Sequence, residues 1–266
     1  MALLRVDARP LLPGLRAELA GLSGADWERP TACPGWPVHG VAAHLLGVEL
    51  GNVSARRDGW KLGPSSAADL DAWLNGFNQQ WVEAARRISP ALLIELLDLA
   101  GRRFEEYVGT LDLDAAGGPV QWATGSQPAP VWLDVAREYM ERYVHQDQIR
   151  AATGRGRLGA LFTWPVLETA AHALPRALDP VTRPEGTVVT VTVEGSGGGT
   201  WVVIRALRGW SLSAGGAGPG SAACRVRTTV DGALKRYARD PAAPALSFDG
   251  DEELAAALGG VKAVLG

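Results

Sequence analysis

Apolar positions recur every three or four residues over roughly the first two thirds of the chain, then switch to alternation in the last third. Residues 4–22 carry Leu11, Leu12, Leu15, Leu19 and Leu22 at helical spacing, which predicts a first helix begun or interrupted at Pro10 and Pro13. Residues 26–30 read as a connector. A second helix is predicted from Pro37, where a missing amide hydrogen costs nothing, with Val38, Val41, Ala42, Leu45 and Leu46 on its apolar side. Residues 67–112 form a long helical segment interrupted at Pro90, with Ser89 placed to cap the helix that begins there. Leu70, Trp73, Leu74, Phe77, Trp81 and Ala84 make one apolar stripe there. Leu92, Leu96, Leu99, Phe104 and Val108 make another. Residues 113–130 are loop by composition, and a helix runs from Trp132 to Ala152, with Gly154 as its C-terminal stop.

A further helix is predicted over about 159–178. From Gly186 the pattern is that of strands: GTVVTVTVE, a glycine-rich turn, then TWVVIRA, a hairpin. Strands at 210–213, 223–230 and 245–248, a helix at 232–239 capped by Asp231, and a last helix at 252–265 capped by Asp249 or Asp251 complete the reading. Four long helical segments with three connections imply an up-and-down four-helix bundle. The expected fold is α+β: residues 1–155 a bundle, 156–180 a linking helix, 181–266 a small mixed domain with an antiparallel sheet.

The chemistry in this pattern is sparse. Glu141 and His145 lie four residues apart, so they stand one above the other on the Trp132–Ala152 helix, within reach of a single metal ion. Asp134, Arg137, Glu138 and Gln148 share their side. The same stripe also describes any solvated face of an amphipathic helix. His44, on the second helix, has Gly40, Val41, Gly47, Val48 and Gly51 as helical neighbours, none charged, so its face is expected to be buried. A buried imidazole needs a hydrogen-bond partner or a metal, and the small neighbours leave room for a pocket or a close-packed side chain. In a bundle, metal sites are built from facing helices. His172, beside Leu167, Ala171 and Leu174, reads as packing. Asn78 sits next to Phe77 and points either into the bundle or to water. GSGGG leads from strand to strand with no GK[ST] after it, so it is a turn rather than a phosphate cradle. Arg225, Arg227 and Lys235 read as solvated.

Composition narrows the partners. The 266 residues carry a formal net charge of -3 without a long run of one sign, so nothing resembles a nucleic-acid footprint. No apolar run approaches the ~18 residues of a membrane span, and the N-terminus lacks the pattern of a signal peptide. Two cysteines, Cys33 and Cys224, exclude a disulfide framework and fit a reducing, cytoplasmic setting. Cys33 reads as a packed thiol. Four histidines leave few metal combinations.

CPGWPVHGVAAHLLG, within residues 31–57, and EYMERYVHQDQIRAATG resemble two signature segments of the mycothiol-dependent maleylpyruvate isomerase family, whose bundle is DinB-like. The resemblance implies a divalent metal, usually zinc, held by His44, Glu141 and His145, a set that leaves positions open. It also implies mycothiol as thiol cosubstrate. Where many members have an aspartate three residues after the last histidine, this chain has Gln148, with Asp147 one position earlier. Gln148 and Asn78 are the candidate cofactor contacts; a general acid or base is not identified. The implied activity is an S-transferase or isomerase in which a metal-bound thiolate attacks a small electrophile. A hydrolase using zinc-bound water, or a non-catalytic metal-binding or interaction protein, are the alternatives. A monomer or homodimer is expected.

Overall fold

The computed structural model describes residues 11–60, 63, 70–213, 222–238, 240, 242–261 and 263. The predicted start of the first helix (4–10), the start of the long segment (67–69), and the tails of the last two helices (239, 262, 264–265) lie outside them. The chain forms two compact units. Among the described residues, one holds those from 11 to 112 and from Glu141 to Leu158; the other holds Leu113–Met140 and those from Gly159 on.

The helical unit opens with α1 (Leu11–Ala20) and the short α2 (Gly24–Trp27). The second falls partly where a connector was expected. Its signal is a capping box: Ser23 accepts from the Asp26 amide while Asp26 accepts from that of Ser23. Helix α3 (Val38–Asn52) comes next and runs into one π turn, Val53–Arg57. The segment at 67–112 is two helices, α4 (Leu70–Ala85) and α5 (Pro90–Val108), with Ser89 capping the second through the Leu92 amide.

Helix α3 is the centre of this bundle. It packs against both α4 and α5, and α5 packs against α1. Val38, Val41, Ala42, Leu45 and Leu46 are all buried, as their spacing predicts. Two of the predicted stripes are displaced. On α5 the core face is Leu93, Leu97, Ala100 and Phe104, while Leu92 and Leu99 are exposed. Leucines on adjacent positions allow two overlapping stripes, and only packing against α3 and α1 selects one. On α4 the buried residues are Val82 and Ala85; Phe77 is exposed and stacks on Trp73 with ring centroids 4.9 Å apart.

The room left by glycine on α3 is partly filled. A Cβ on Gly47 would lie 2.6 Å from Cδ1 of Trp81, whose Nε1–H donates to the Ala43 carbonyl at 2.6 Å. The missing side chain is what lets this indole lie on the helix.

Two further helices, α6 (Gln121–Thr124) and α7 (Val131–Ala152), come next. From Glu141 on, α7 belongs to the helical unit, where Ile149 joins the core formed by Leu19, Trp27, Leu45 and Leu97. Gly154, at φ 72°, ends α7, and the Arg155 amide reaches back to the Arg150 carbonyl at 2.7 Å.

In the second unit the helix predicted at 159–178 is two, α8 (Ala160–Ala171) and α9 (Leu174–Leu178), with Pro175 in the first turn of α9. Then come β1 (Val188–Glu194), β2 (Gly199–Ala206), β3 (Gly209–Leu212), β4 (Cys224–Thr229), α10 (Val230–Tyr237), β5 (Ser247–Gly250) and α11 (Glu252–Gly259). The sheet order is β3-β2-β1-β4-β5. Three pairings are antiparallel, as predicted; β1 and β4 pair in parallel, Val191 opposite Val226. Alternation says which face a residue takes and is blind to the direction of its neighbour. Val189, Val191 and Val193 point inward with Cys224 and Val226. Thr229 caps α10, two positions before the predicted Asp231; Asp251 caps α11 by accepting from the Glu253 and Leu254 amides. An N-terminal helical bundle succeeded by a mixed sheet domain is the predicted α+β architecture.

Candidate metal centre

The fold of the helical unit gathers His44 from α3 with Glu141 and His145 from α7. Apolar flanks bury the middle of α3, so His44 is 4% exposed. The i, i+4 spacing stacks the other two. Glu141 Oε1 lies 3.2 Å from His44 Nε2 and 3.2 Å from His145 Nε2. The two imidazole rings meet edge-on with centroids 4.7 Å apart. These three residues each offer one ligand atom, all within 4.8 Å of one another, and they are the only such group among the described residues.

The donor set fits a divalent ion. Ligand atoms on a tetrahedral zinc stand about 3.4 Å apart at the usual bond lengths, close to both carboxylate–imidazole separations here. Two imidazoles and one carboxylate form a borderline-soft set with positions left open.

Without a metal the group behaves as a coupled proton network. Burial opposes the charge on Glu141, yet hydrogen bonds from His145 and His44 outweigh it and hold the carboxyl well below the usual carboxylate range. Burial also opposes charge on His145; the Cys33 thiol and the Glu141 carboxylate outweigh it and push its pKa up to about 10. For His44 burial wins over the Glu141 hydrogen bond, and its pKa is pushed down. The metal-free group is thus a protonated His145, an ionised Glu141 and a neutral His44.

The surroundings add Trp36 and Gln79, which the sequence pattern did not single out, to Cys33 and Gln148, which it did. The Trp36 ring lies against His44, centroids 5.0 Å apart, and its Nε1–H donates to Gln79 Oε1 at 2.7 Å. The Cys33 thiol donates to Gln148 Oε1 at 3.1 Å, and the same oxygen is 2.8 Å from His145 Nδ1. Cys33 and Trp36 flank the Pro34-Gly35 turn, whose positive φ at Gly35 brings both ends of CPGW onto the site. That tetrapeptide was the available signal, and its turn chemistry gave no hint of where it would land. Asn78 is half-buried on α4 and makes no hydrogen bond among the described residues; its neighbour Gln79 makes the contact to Trp36. His172 packs edge-on against Trp132, in the other unit.

A second polar pair ties α3 to α7. Arg142 Nε donates to Glu49 Oε1, both side chains 4% exposed, and the guanidinium lies over the Phe104 ring at 5.5 Å. Glu49 is five residues beyond His44, and Arg142 adjoins Glu141.

Residues 8–150 match the family model described as the mycothiol maleylpyruvate isomerase N-terminal domain. The chain belongs to this family. The match runs through most of α7 and includes His44, Glu141 and His145. Among solved structures, the chain is similar to a mycothiol-dependent maleylpyruvate isomerase, with 14% identity, TM-score 0.53, and 91% of this chain and 90% of that one covered. A second match is a histidine-to-alanine mutant of a mycothiol-dependent maleylpyruvate isomerase, with 14% identity, TM-score 0.49, and coverage of 86% and 85%. At such identity the likeness bears on the fold. No curated protein matches the chain. Family membership and the His/His/Glu cluster together support a metal-binding, isomerase-like enzyme. No helix among the described residues is long and apolar enough to cross a membrane.

Proposed function

We propose that this protein is a metal-dependent S-transferase or isomerase that uses a low-molecular-weight thiol, mycothiol by family membership, against a small electrophile. The observation that carries the reading is the convergence of His44 Nε2, His145 Nε2 and Glu141 Oε1 from two helices onto one point. His44, Glu141 and His145 are the ligands in this reading. A divalent ion held there, zinc by its donor set, supplies a positive charge that keeps a coordinated thiol deprotonated at neutral pH.

The chain's own residues supply the rest. Glu141 is already ionised, so it meets a cation without first losing a proton. Trp36, held by Gln79, walls the His44 side and limits water there. Asn78, half-buried one position before Gln79, is assigned to polar groups of the thiol. The thiolate would add to an activated alkene, whose electron pair shifts onto the activating group; reversal after rotation allows cis–trans isomerisation and protonation gives a conjugate, whereas at a carbon bearing a leaving group the C–S bond forms as that group departs with its electron pair.

The test is metal analysis of the purified full chain with Glu141→Ala beside it, then assays on a panel of cis-alkenoic and other electrophiles with and without mycothiol. About one bound metal per chain, its loss in Glu141→Ala, and turnover that needs the thiol are expected. Turnover of esters or amides without any thiol, or a wild-type chain that binds no divalent metal, overturns the proposal.

A further inference from the structure

We infer that Gln148 is the positioning residue of this centre: its side-chain oxygen holds the Nδ1–H of His145, so that the proton a metal displaces is the one on Nε2, the nitrogen that faces Glu141 and His44. The inference rests on the metal-site reading above and concerns a residue whose side-chain oxygen meets His145 and Cys33.

The two nitrogens of the His145 ring face different partners. Nε2 is 3.2 Å from Glu141 Oε1, and Nδ1 is 2.8 Å from Gln148 Oε1. A ligand imidazole is neutral and carries one proton. For Nε2 to offer its lone pair, the proton must sit on Nδ1, and a buried N–H needs an acceptor. Gln148, one turn further along α7, provides it. The opposite amide orientation would aim NH2 at Nδ1, leave the proton on Nε2, and block the site. With the carbonyl oxygen in that place, the Cys33 thiol 3.1 Å away donates to the same atom and braces the amide. Cys33 thereby acts as a brace for Gln148 rather than as a fourth ligand. An amide also accepts without adding a charge beside Glu141.

Outer partners of metal-bound imidazoles are worth about 10–100-fold in metal affinity. Zinc affinity of the full-length chain, measured by chelator competition, is therefore expected to fall by about that factor in Gln148→Ala. It should be retained or tightened in Gln148→Glu, which keeps an acceptor. In Cys33→Ala it should change no more than about threefold, the scale of one weak hydrogen bond. Alanine is a good helix former, and thermal melts of each variant confirm the fold. Wild-type affinity in Gln148→Ala, or loss of binding in Cys33→Ala, overturns the inference.

Nitrogen-15 NMR of metal-free protein gives a second reading. A protected His145 Nδ1–H resonance is expected in the wild type and should disappear in Gln148→Ala; its persistence there overturns the inference. A wild-type chain that takes up no metal sinks the proposed function alone, because the NMR comparison still decides the role of Gln148.

Discussion

The two compact units bury charge to different extents: among the described residues the second buries one carboxylate, Glu138, beside its neighbour Arg137. The helical unit buries His44, Glu49, Arg142 and Gln146 in its interior. From Gly159 on, the buried polar residues among those described are two threonines, Thr163 and Thr169, each bonded to a carbonyl of its own helix or cap. The ion pairs of that part sit at the rim: Arg183 with Asp251 and Glu253, Arg225 with Asp249, Lys235 with Asp231. A sheet and its capped helices need only apolar contact and backbone pairing to hold together. A ligand set drawn from two helices needs those helices in one register, and polar groups that must face each other specify register better than leucines do. Burying ions is a poor way to gain stability, since apolar replacements of a pair are often neutral or better. The charges inside the helical unit are better read as requirements of the site than of the fold.

The largest expected test of that contrast is Arg142→Met. It leaves Glu49 buried without its cation and should destabilise the protein by about 3–5 kcal/mol in urea denaturation. A smaller effect is expected from Gly47→Ala, whose new methyl must displace the Trp81 indole, at about 1–3 kcal/mol in the same measurement. That variant should also disturb the Trp81 near-ultraviolet signal.

The pH dependence sharpens the contrast from the side of the site. His145 is protonated in the metal-free group with a pKa of about 10, above its unfolded value near 6.5. Its pairing therefore contributes stability fully below the unfolded value and loses it as pH rises through about 10. Metal must displace that proton, so affinity should rise with pH between about 7 and 9, by about tenfold per unit for one released proton. Calorimetry in buffers of different ionisation enthalpy counts the proton, and a pH-independent affinity would contradict the assigned state. The smallest change is expected from Arg183→Ala at the rim of the sheet unit, where solvent screens its pairs with Asp251 and Glu253. If Arg183→Ala costs as much as Arg142→Met, the contrast between the units fails.

Much of the site was legible because local spacing determines it. Glu141 and His145 are neighbours by helix geometry alone, and the uncharged flanks of His44 announced its burial. The displaced stripes on α4 and α5 were not legible, because adjacent apolar residues, Trp81-Val82 and Ala84-Ala85 on α4 and Leu92-Leu93 and Leu96-Leu97 on α5, satisfy two helical faces until a partner chooses. Nor was the role of CPGW, since a turn gives no direction to the side chains at its ends. Gln148 stood out by its place after His145, but its bond to the outer nitrogen of that ring depends on a rotamer that packing selects.

Helix and strand periods, caps and the switch to alternation are properties of neighbours a few residues apart, so the sequence by itself determined the order of the long helices and the strands, the α+β class and the pairing of Glu141 with His145, while the short helices α2 and α6 fell where a connector and a loop were expected. Only the tertiary structure decided that His44 meets them across 97 residues of chain, that Trp81 takes the space over Gly47, and that β1 and β4 run in parallel. Each of those depends on contacts between distant segments, where a one-position shift in packing exchanges the residues that meet, and no local preference is strong enough to specify which shift wins.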